Sequence, residues 1–439
     1  MPRNRFLAGI AVLSLLAAAC QPSASQSPAA PGGPSEGAEP LGGSISILAT
    51  WTDAEQESFL AMIQPWVDAN GVEVEYEGNR DLSTILTTRV EGGDPPDVAG
   101  LPNPGAMAEF ARNGDLIDLG DVIDVDAMLA DYNEGYIADG TVDGTLVGIF
   151  IKIAVKGLIW YNPQAFADAG YEVPTDWDGF TDLVEQIRSD GATPWGVGLE
   201  SGADSGWPGT DWIEDFVLRQ SGPDIYDQWW QGELAWSSPE IRAAFEAFGA
   251  WAADADYVAG GPNNVLSVFF GNGGDCLFAD PAGCYLHHQA SFMSGFFETN
   301  FPDVAVAGDT YDFFGMPGES YTGVTQSGDL FGMFRDTPQA RSLMQYLVTA
   351  DAQQIWVERG GAISGNGAVA LDAYPDDTSR RIADILTSAE VVRFDAGDKM
   401  PAQMGRAFFG AILDYIQNPA NLDQVLSDLD AVQAEAYGN

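Results

Sequence analysis

The chain has 439 residues and a formal net charge of −47, from 65 acids against 18 bases. Binding to nucleic acid or to an anionic bilayer needs a basic face, so this balance speaks against both. Hydrophobic residues make up 46% of the chain, enough for large cores, and the length suggests two domains or lobes.

In chain order, Arg3 and Arg5 precede an apolar run over 6–19, shorter than the ~20 residues that span a bilayer. The stretch LAAAC (16–20) resembles a bacterial lipoprotein signal, in which the cysteine becomes the first residue and carries the lipid. Residues 1–19 are then a removable signal peptide and Cys20 the lipidation site. Leu16 stands four before the cysteine where the pattern has three, and ordinary signal cleavage nearby is the alternative. Losing Arg3 and Arg5 makes the mature chain two units more negative. Residues 20–43 hold Pro, Ser, Ala and Gly with almost no large apolar side chain, a composition that cannot fold alone. As a flexible linker it spans on the order of 25 Å. No later run of 18 apolar residues follows, so the rest reads as soluble.

Residues 44–49 (SISILA) read as a strand. Thr52 and Glu55 fit a capping box, followed by Phe59, Met62, Ile63, Trp66 and Val67 at helical spacing. Strands over 72–76 and 95–99 alternate with helices over 81–90 and 104–112, which predicts an α/β lobe with a mainly parallel sheet. Two extended apolar stretches, LVGIFIKIAV and GLIWYN, follow within 145–161. Helices are expected over 162–170, 177–189, 211–220, 239–254 and 337–349, a strand over 195–199, another in YDFFGMP, and a mostly helical end over 378–436. Cys276 and Cys284 bracket CLFADPAGC, and outside the cytoplasm they are expected to form a disulfide. Closing so small a loop stabilises by ~2.5 kcal/mol in the chain-entropy account. His287 and His288 are adjacent and would face opposite sides of a strand. No metal or cofactor site is expected.

The run DGTLVGIF…GLIWYNPQAFADAGYEVPTDWDGFTDLVEQI resembles the middle signature of family 1 extracellular solute-binding proteins, the maltose-binding-protein-like group. Tyr161-Asn162, Ala169-Gly170 and the helix start Asp176 to Phe180 carry the likeness. ARSLMQYLVTADAQQIWVERGGAIS resembles the family's second signature, with Gly360-Gly361 at its crossing. GNRDLSTIL, PDVAGLPNPG, TPWGVGLESG, GWPGTDWIED and CYLHHQASF look like the subgroup for α-glucosides and related oligosaccharides. The resemblance implies an α/β, two-lobed periplasmic-binding-protein-like fold with a hinge and an interlobe ligand cleft. Lobe one would hold 44–154 plus 314–361, and lobe two 155–313 plus 362–439. It also implies a sugar ligand, permease subunits of an ABC transporter as partners, and a place outside the cell membrane or in the periplasm.

A sugar needs flat aromatic surfaces and convergent polar groups, and open α/β sheets bind at strand-to-helix junctions. The candidates are Trp51, Arg80, Asp81, Asp97, Lys152, Trp195, Glu200, Trp207, Asp211, Trp212, His288, Gln289 and Asp329. Each has a plainer reading: Trp51 packs on the sheet end, Asp81 and Asp211 cap helices, Asp97 belongs to a turn. Lys152 and its neighbour Lys156, four apart on a strand, share one face and equally fit pairing with surplus carboxylates. Trp66, Trp251 and Trp356 fit helix faces and core packing. A lipid-anchored monomer that captures sugar and is not an enzyme is the expectation. A secreted glycoside hydrolase, the same fold with a non-sugar solute, and a sugar sensor without transport remain as alternatives. The acidity fits adaptation to high salt or compositional drift.

Overall fold

The computed structural model describes residues 40–438; the signal peptide, Cys20 and the linker up to 39 lie outside them. Gly42 and Gly43, expected in the linker, are already fastened to the fold. Gly42 N donates to Asn70 O, Glu73 N to Gly43 O, and Gln339 Nε2 to Gly42 O.

The strand Ser44–Ala49 forms because its apolar side chains are buried on both faces of a sheet covered by helices. It pairs in parallel with Glu73–Gly78 on one side and Val98–Leu101 on the other. The helices Asp53–Asn70, Leu82–Glu91 and Pro104–Asn113 connect and follow them. Phe59, Met62, Ile63 and Trp66 fall on one face of the first helix and are buried. The long strand Val324–Met333 then joins antiparallel to Val98–Leu101 and to Gly148–Val155, and parallel to Val392–Phe394. The sheet is therefore mixed where a mainly parallel one is expected, because two of its pairings come from chain that returns from the second lobe.

Just two residues after Gly148–Val155, Leu158–Tyr161 opens a three-stranded antiparallel sheet with His287–Gln289 and Asp312–Gly315. Strand pairing thus puts Asp312–Gly315 in the small sheet and Val392–Phe394 in the large one. The helices Trp177–Ser189, Trp207–Ser221, Pro239–Ala252, Ala402–Gln417 and Leu422–Ala436 surround a core of Phe180, Trp195, Trp212, Phe216, Phe248 and Phe408. A separate core of Trp51, Phe59, Trp66, Leu343 and Trp356 backs the large sheet.

Three further expectations fail. Residues 195–199 form no regular strand: Trp195 makes isolated bridges to Val258 and Leu286, in a segment fixed by single contacts from several neighbours. The helix expected from 211 begins at Trp207, with Pro208 tolerated in its first turn and Gly206 at φ 108° before it. The capping box does not form: Thr52 makes no side-chain cap bond, and Glu55 turns elsewhere. Cys276 and Cys284 are joined by a disulfide, with Cα atoms 5.2 Å apart. No described helix is long and apolar enough to cross a membrane.

Candidate functional site

The carboxyl ends of the three parallel strands converge on one cavity. Thr50 and Trp51 leave the first strand, Arg80 the second, and Pro102 and Asn103 the third; all line it. Lys152 and Asp329 reach in from the paired strands Gly148–Val155 and Val324–Met333. The opposite wall comes largely from the Trp207–Ser221 helix, whose Trp207, Thr210 and Asp211 face the cavity at helical spacing. Phe270, Phe292, Asp395, Asp398 and Phe409 complete it. Its volume is about 120 Å³, below the roughly 300–1,000 Å³ of a drug-sized pocket, so this conformation encloses something small.

Two buried lysines organise the charge. Lys152 Nζ lies 2.5 Å from Glu55 Oε1 and 3.7 Å from Asp329 Oδ2, beside the Trp51, Phe292 and Trp356 rings. Arg80 Nη2 meets the other Glu55 oxygen at 2.8 Å. Burial alone would push the Glu55 carboxyl up, but Lys152 and Arg80 override it and hold it at about 2. Asp329 goes the other way, raised by burial and by the charge on Glu55 despite Lys152.

On the far wall, Lys156 Nζ donates to Asp211 Oδ1 at 2.7 Å and to Asp395 Oδ2, under the Trp207 ring. Burial opposes the Lys156 charge, yet the carboxylates around it raise its affinity for the proton well above the ordinary value. Burial also lifts Asp211, to about 8, with Asp395 adding to the rise and Lys156 opposing it. Asp211, Glu214 and Asp395 each have an oxygen within 4.8 Å of the others, a spacing suited to a cation. Lys156 already fills that role between Asp211 and Asp395, while Glu214 accepts from the backbone N–H groups of Ala396 and Gly397.

Three polar atoms of lining residues have no hydrogen-bond partner among the described residues: Trp51 Nε1 and Arg80 Nε on one wall and Asp211 Oδ2 on the other. Trp51 Nε1 is also buried; it helps keep Asp329 ionised without completing a hydrogen bond. Buried polar groups are nearly always satisfied. These atoms belong to side chains on opposite walls of the cavity.

Of the residues singled out from sequence, Trp51, Arg80, Lys152, Trp207, Asp211 and Asp329 line this cavity. The other seven do not. Trp195 and Trp212 meet edge to face, 4.8 Å between centroids, inside the core. The His288 ring packs tilted against Trp212, 4.2 Å between centroids, and bonds Asp215 through Nε2 at 2.7 Å. Gln289 is buried with its Oε1 accepting from Ala290 N. Asp97 accepts from Ser46 N and Oγ, locking two strands together. Glu200 closes a turn onto Gly202 N. Asp81 sits at the rim, where its Oδ1 accepts from Ala203 N at 2.6 Å and links the two walls. Sequence reasoning missed Glu55, Asp204, Asp395, Asp398, Phe270 and Phe409. For Glu55 the capping-box pattern masked the signal, and the last four contribute from segments remote in sequence.

Such a cleft between two α/β lobes, reached at strand ends and walled by aromatic rings and paired charges, is the architecture of a solute receptor. The family of bacterial extracellular solute-binding proteins matches over residues 52–354, and the chain belongs to it. The osmoprotective compounds-binding protein GgtB of Synechocystis sp. is 38% identical over 390 residues, 88% of this chain and 91% of its own. The alpha-glucosides-binding periplasmic protein AglE of Rhizobium meliloti is 35% identical over 395 residues, 87% of this chain and 85% of its own. Among solved structures, the bacterial solute receptor AcbH superposes with a TM-score of 0.77 at 19% identity, over 90% of this chain and 99% of that one, a likeness of fold.

Proposed function

We propose that the protein captures an uncharged, hydroxyl-rich solute, an α-glucoside or other small oligosaccharide, and delivers it to the permease subunits of an ABC transporter. The observation that carries this reading is a single cavity walled by aromatic rings and by polar side chains of both lobes, with Arg80 on one side and Asp211 on the other. A hydroxyl both donates and accepts, so one sugar ring can satisfy both walls and bridge the lobes. Aromatic rings at Trp51, Trp207, Phe270 and Phe292 offer faces for its C–H surface. The lining has three bases, Arg80, Lys152 and Lys156, against six acids, which disfavours an anionic solute. AglE is by name a binder of alpha-glucosides and GgtB of osmoprotective compounds, and both descriptions fit a small neutral solute.

In this reading Trp51, Arg80, Lys152, Trp207, Asp211 and Asp329 hold the ligand. The walls split as 44–154 plus 314–361 against 155–313 plus 362–439, except that 314–315 and 392–394 pair in the sheet of the opposite lobe. The chain acts as a monomer, tethered by a lipid on Cys20 at the outer face of the membrane or in the periplasm, and performs no chemistry on its ligand.

A thermal-shift screen with mono- to tetrasaccharides, polyols and anions tests it. A ligand at 100 times its dissociation constant stabilises by ~2.7 kcal/mol, readily seen as a shift. Stabilisation by one α-glucoside class with no sugar consumed is expected, and Asp211→Ala should weaken that binding at least about tenfold. No shift with any sugar sinks the ligand assignment, and sugar cleavage would make the protein an enzyme.

A further inference from the structure

Two cations share one wall of the cavity: Arg80, just past the strand Glu73–Gly78, and Lys152 from Gly148–Val155. A guanidinium on one oxygen and an ammonium on the other is the chemistry that grips a carboxylate. Here the carboxylate is already present, and it belongs to the chain. Glu55 Oε1 accepts from Lys152 Nζ at 2.5 Å, and Oε2 accepts from Arg80 Nη2 at 2.8 Å. Glu55 comes from the first turn of the helix Asp53–Asn70 and lines the cavity itself. Burial pushes its carboxyl up, but Lys152 and Arg80 hold it at about 2, so it is charged at neutral pH. Lys152 also lies 3.7 Å from Asp329 Oδ2, so two cations face two carboxylates. Aromatic rings hold both cations independently of Glu55. Lys152 Nζ is 5.1 Å from the Trp356 centroid, and the Arg80 guanidinium 5.3 Å from that of Phe270.

We propose that Glu55 is the specificity-determining residue for ligand charge: it occupies the place of a ligand carboxylate on Arg80 and Lys152, and without it the cleft takes an acidic sugar, a uronic or aldonic acid. The inference rests on the sugar-binding reading above and goes beyond it by assigning the exclusion of sugar acids to one side chain. Were a sugar acid to enter beside Glu55, three carboxylates would share two cations in an enclosed space. The extra charge would be buried without a partner, which is strongly unfavourable. Removing the Glu55 charge leaves two cations against Asp329 alone, a surplus that a single ligand carboxylate matches. A neutral sugar escapes this penalty, and its hydroxyls can still donate to the remaining lone pairs of Glu55.

Isothermal titration calorimetry of the full chain with maltose and its two acids, oxidised at C6 of the terminal ring or at C1 of the reducing one, tests it. The parent should bind maltose and reject both acids by about a hundredfold or more. Glu55→Gln, which removes the charge and keeps the volume, should raise the affinity for at least one acid about tenfold. Adding Lys152→Met to that variant should cancel the gain. A merely structural role for Glu55 would weaken maltose and acids alike, so the ratio of the affinities is the readout. If Glu55→Gln loses its thermal transition, Glu55→Ala is melted with propionate and with propionamide, which is neutral and of similar shape. Restored melting with propionate alone supports the proposal, and no difference between the two overturns it. Undiminished rejection of both acids by Glu55→Gln also overturns it, since the acid surplus of the whole lining would then set the selectivity. A parent that binds the acids as well as maltose overturns it and leaves the proposed function standing. No binding of maltose or of either acid, by parent and variant, overturns the sugar-binding reading instead.

Discussion

At the scale of single residues, burial separates two kinds of tryptophan that look alike in sequence. Trp207 and Trp212 stand five apart on one helix, yet Trp207 lines the cavity while Trp212 packs against Trp195, Phe216 and Phe248. Trp212→Ala should therefore act through folding, lowering stability by about 3–5 kcal/mol in urea titrations, whereas Asp211→Ala should act through binding. Roughly half of the candidate site was legible from sequence, and the half that was legible shares a cause. Trp51, Arg80 and Asp211 sit at or near strand ends and helix starts, places that local pattern marks. Glu55 stood in a pattern that suits a helix cap, and only the buried Lys152 and Arg80 explain why it turns inward. Asp395 and Asp398 reach the cavity from the last quarter of the chain, and no local spacing announces such a return.

Among the elements, the connection between the two sheets concentrates the constraints. Gly157 lies there at φ 70°, and a Cβ on it would come within 2.6 Å of Asp215 Oδ2. Asp215 is itself fixed by Arg219 Nη1 at 2.6 Å, His288 Nε2 at 2.7 Å and Thr325 Oγ1 at 2.7 Å. Thr325 belongs to the strand that crosses beside it, and its carbonyl accepts from Lys156 N. One buried carboxylate thus ties the helix Trp207–Ser221 to His288 of the small sheet and to Thr325 of the large one. Gly157→Ala combines left-handed strain with a clash against this group. It should lower the melting temperature and weaken ligand binding together, by calorimetry on the same sample; a loss of binding with unchanged melting would contradict the account. Alternation of strands and helices up to residue 113 was readable because the helices carry apolar side chains at helical spacing and turn residues separate them from the strands. The mixed pairing of Val324–Met333 was not, because it depends on where the chain returns after some 160 residues in between (from Leu158 to Gly323).

For the whole molecule, acidity sets the response to pH and salt. Asp211, at about 8, and Asp204, raised by burial to about 6, keep their protons in the fold at a pH where the unfolded chain has lost them. Their contribution to stability is complete below about pH 4 and is lost as the pH climbs through 6 and 8. Glu55 and Asp215 behave oppositely. Burial raises both, but Lys152 and Arg80 hold Glu55 at about 2, and Arg219 and His288 do the same for Asp215. Their contribution is present above about pH 4.5 and is lost as the pH falls toward 2. Melting temperature in dilute buffer should therefore peak near pH ~5 and decline toward pH 8. The net charge of −47 adds self-repulsion that salt screens, so molar KCl should raise the melting temperature more at pH 8 than at pH 5. A profile flat in both variables would contradict this assignment. The unpaired Arg80 Nε and Asp211 Oδ2 carry a different consequence. Shut without a guest, the protein leaves both groups dehydrated and unmatched, a penalty of roughly 1–3 kcal/mol each. Opening returns them to water, so small-angle scattering should find the solitary protein expanded and the occupied one contracted. A membrane partner that recognises only the contracted shape would then ignore idle receptors without ever inspecting the cargo.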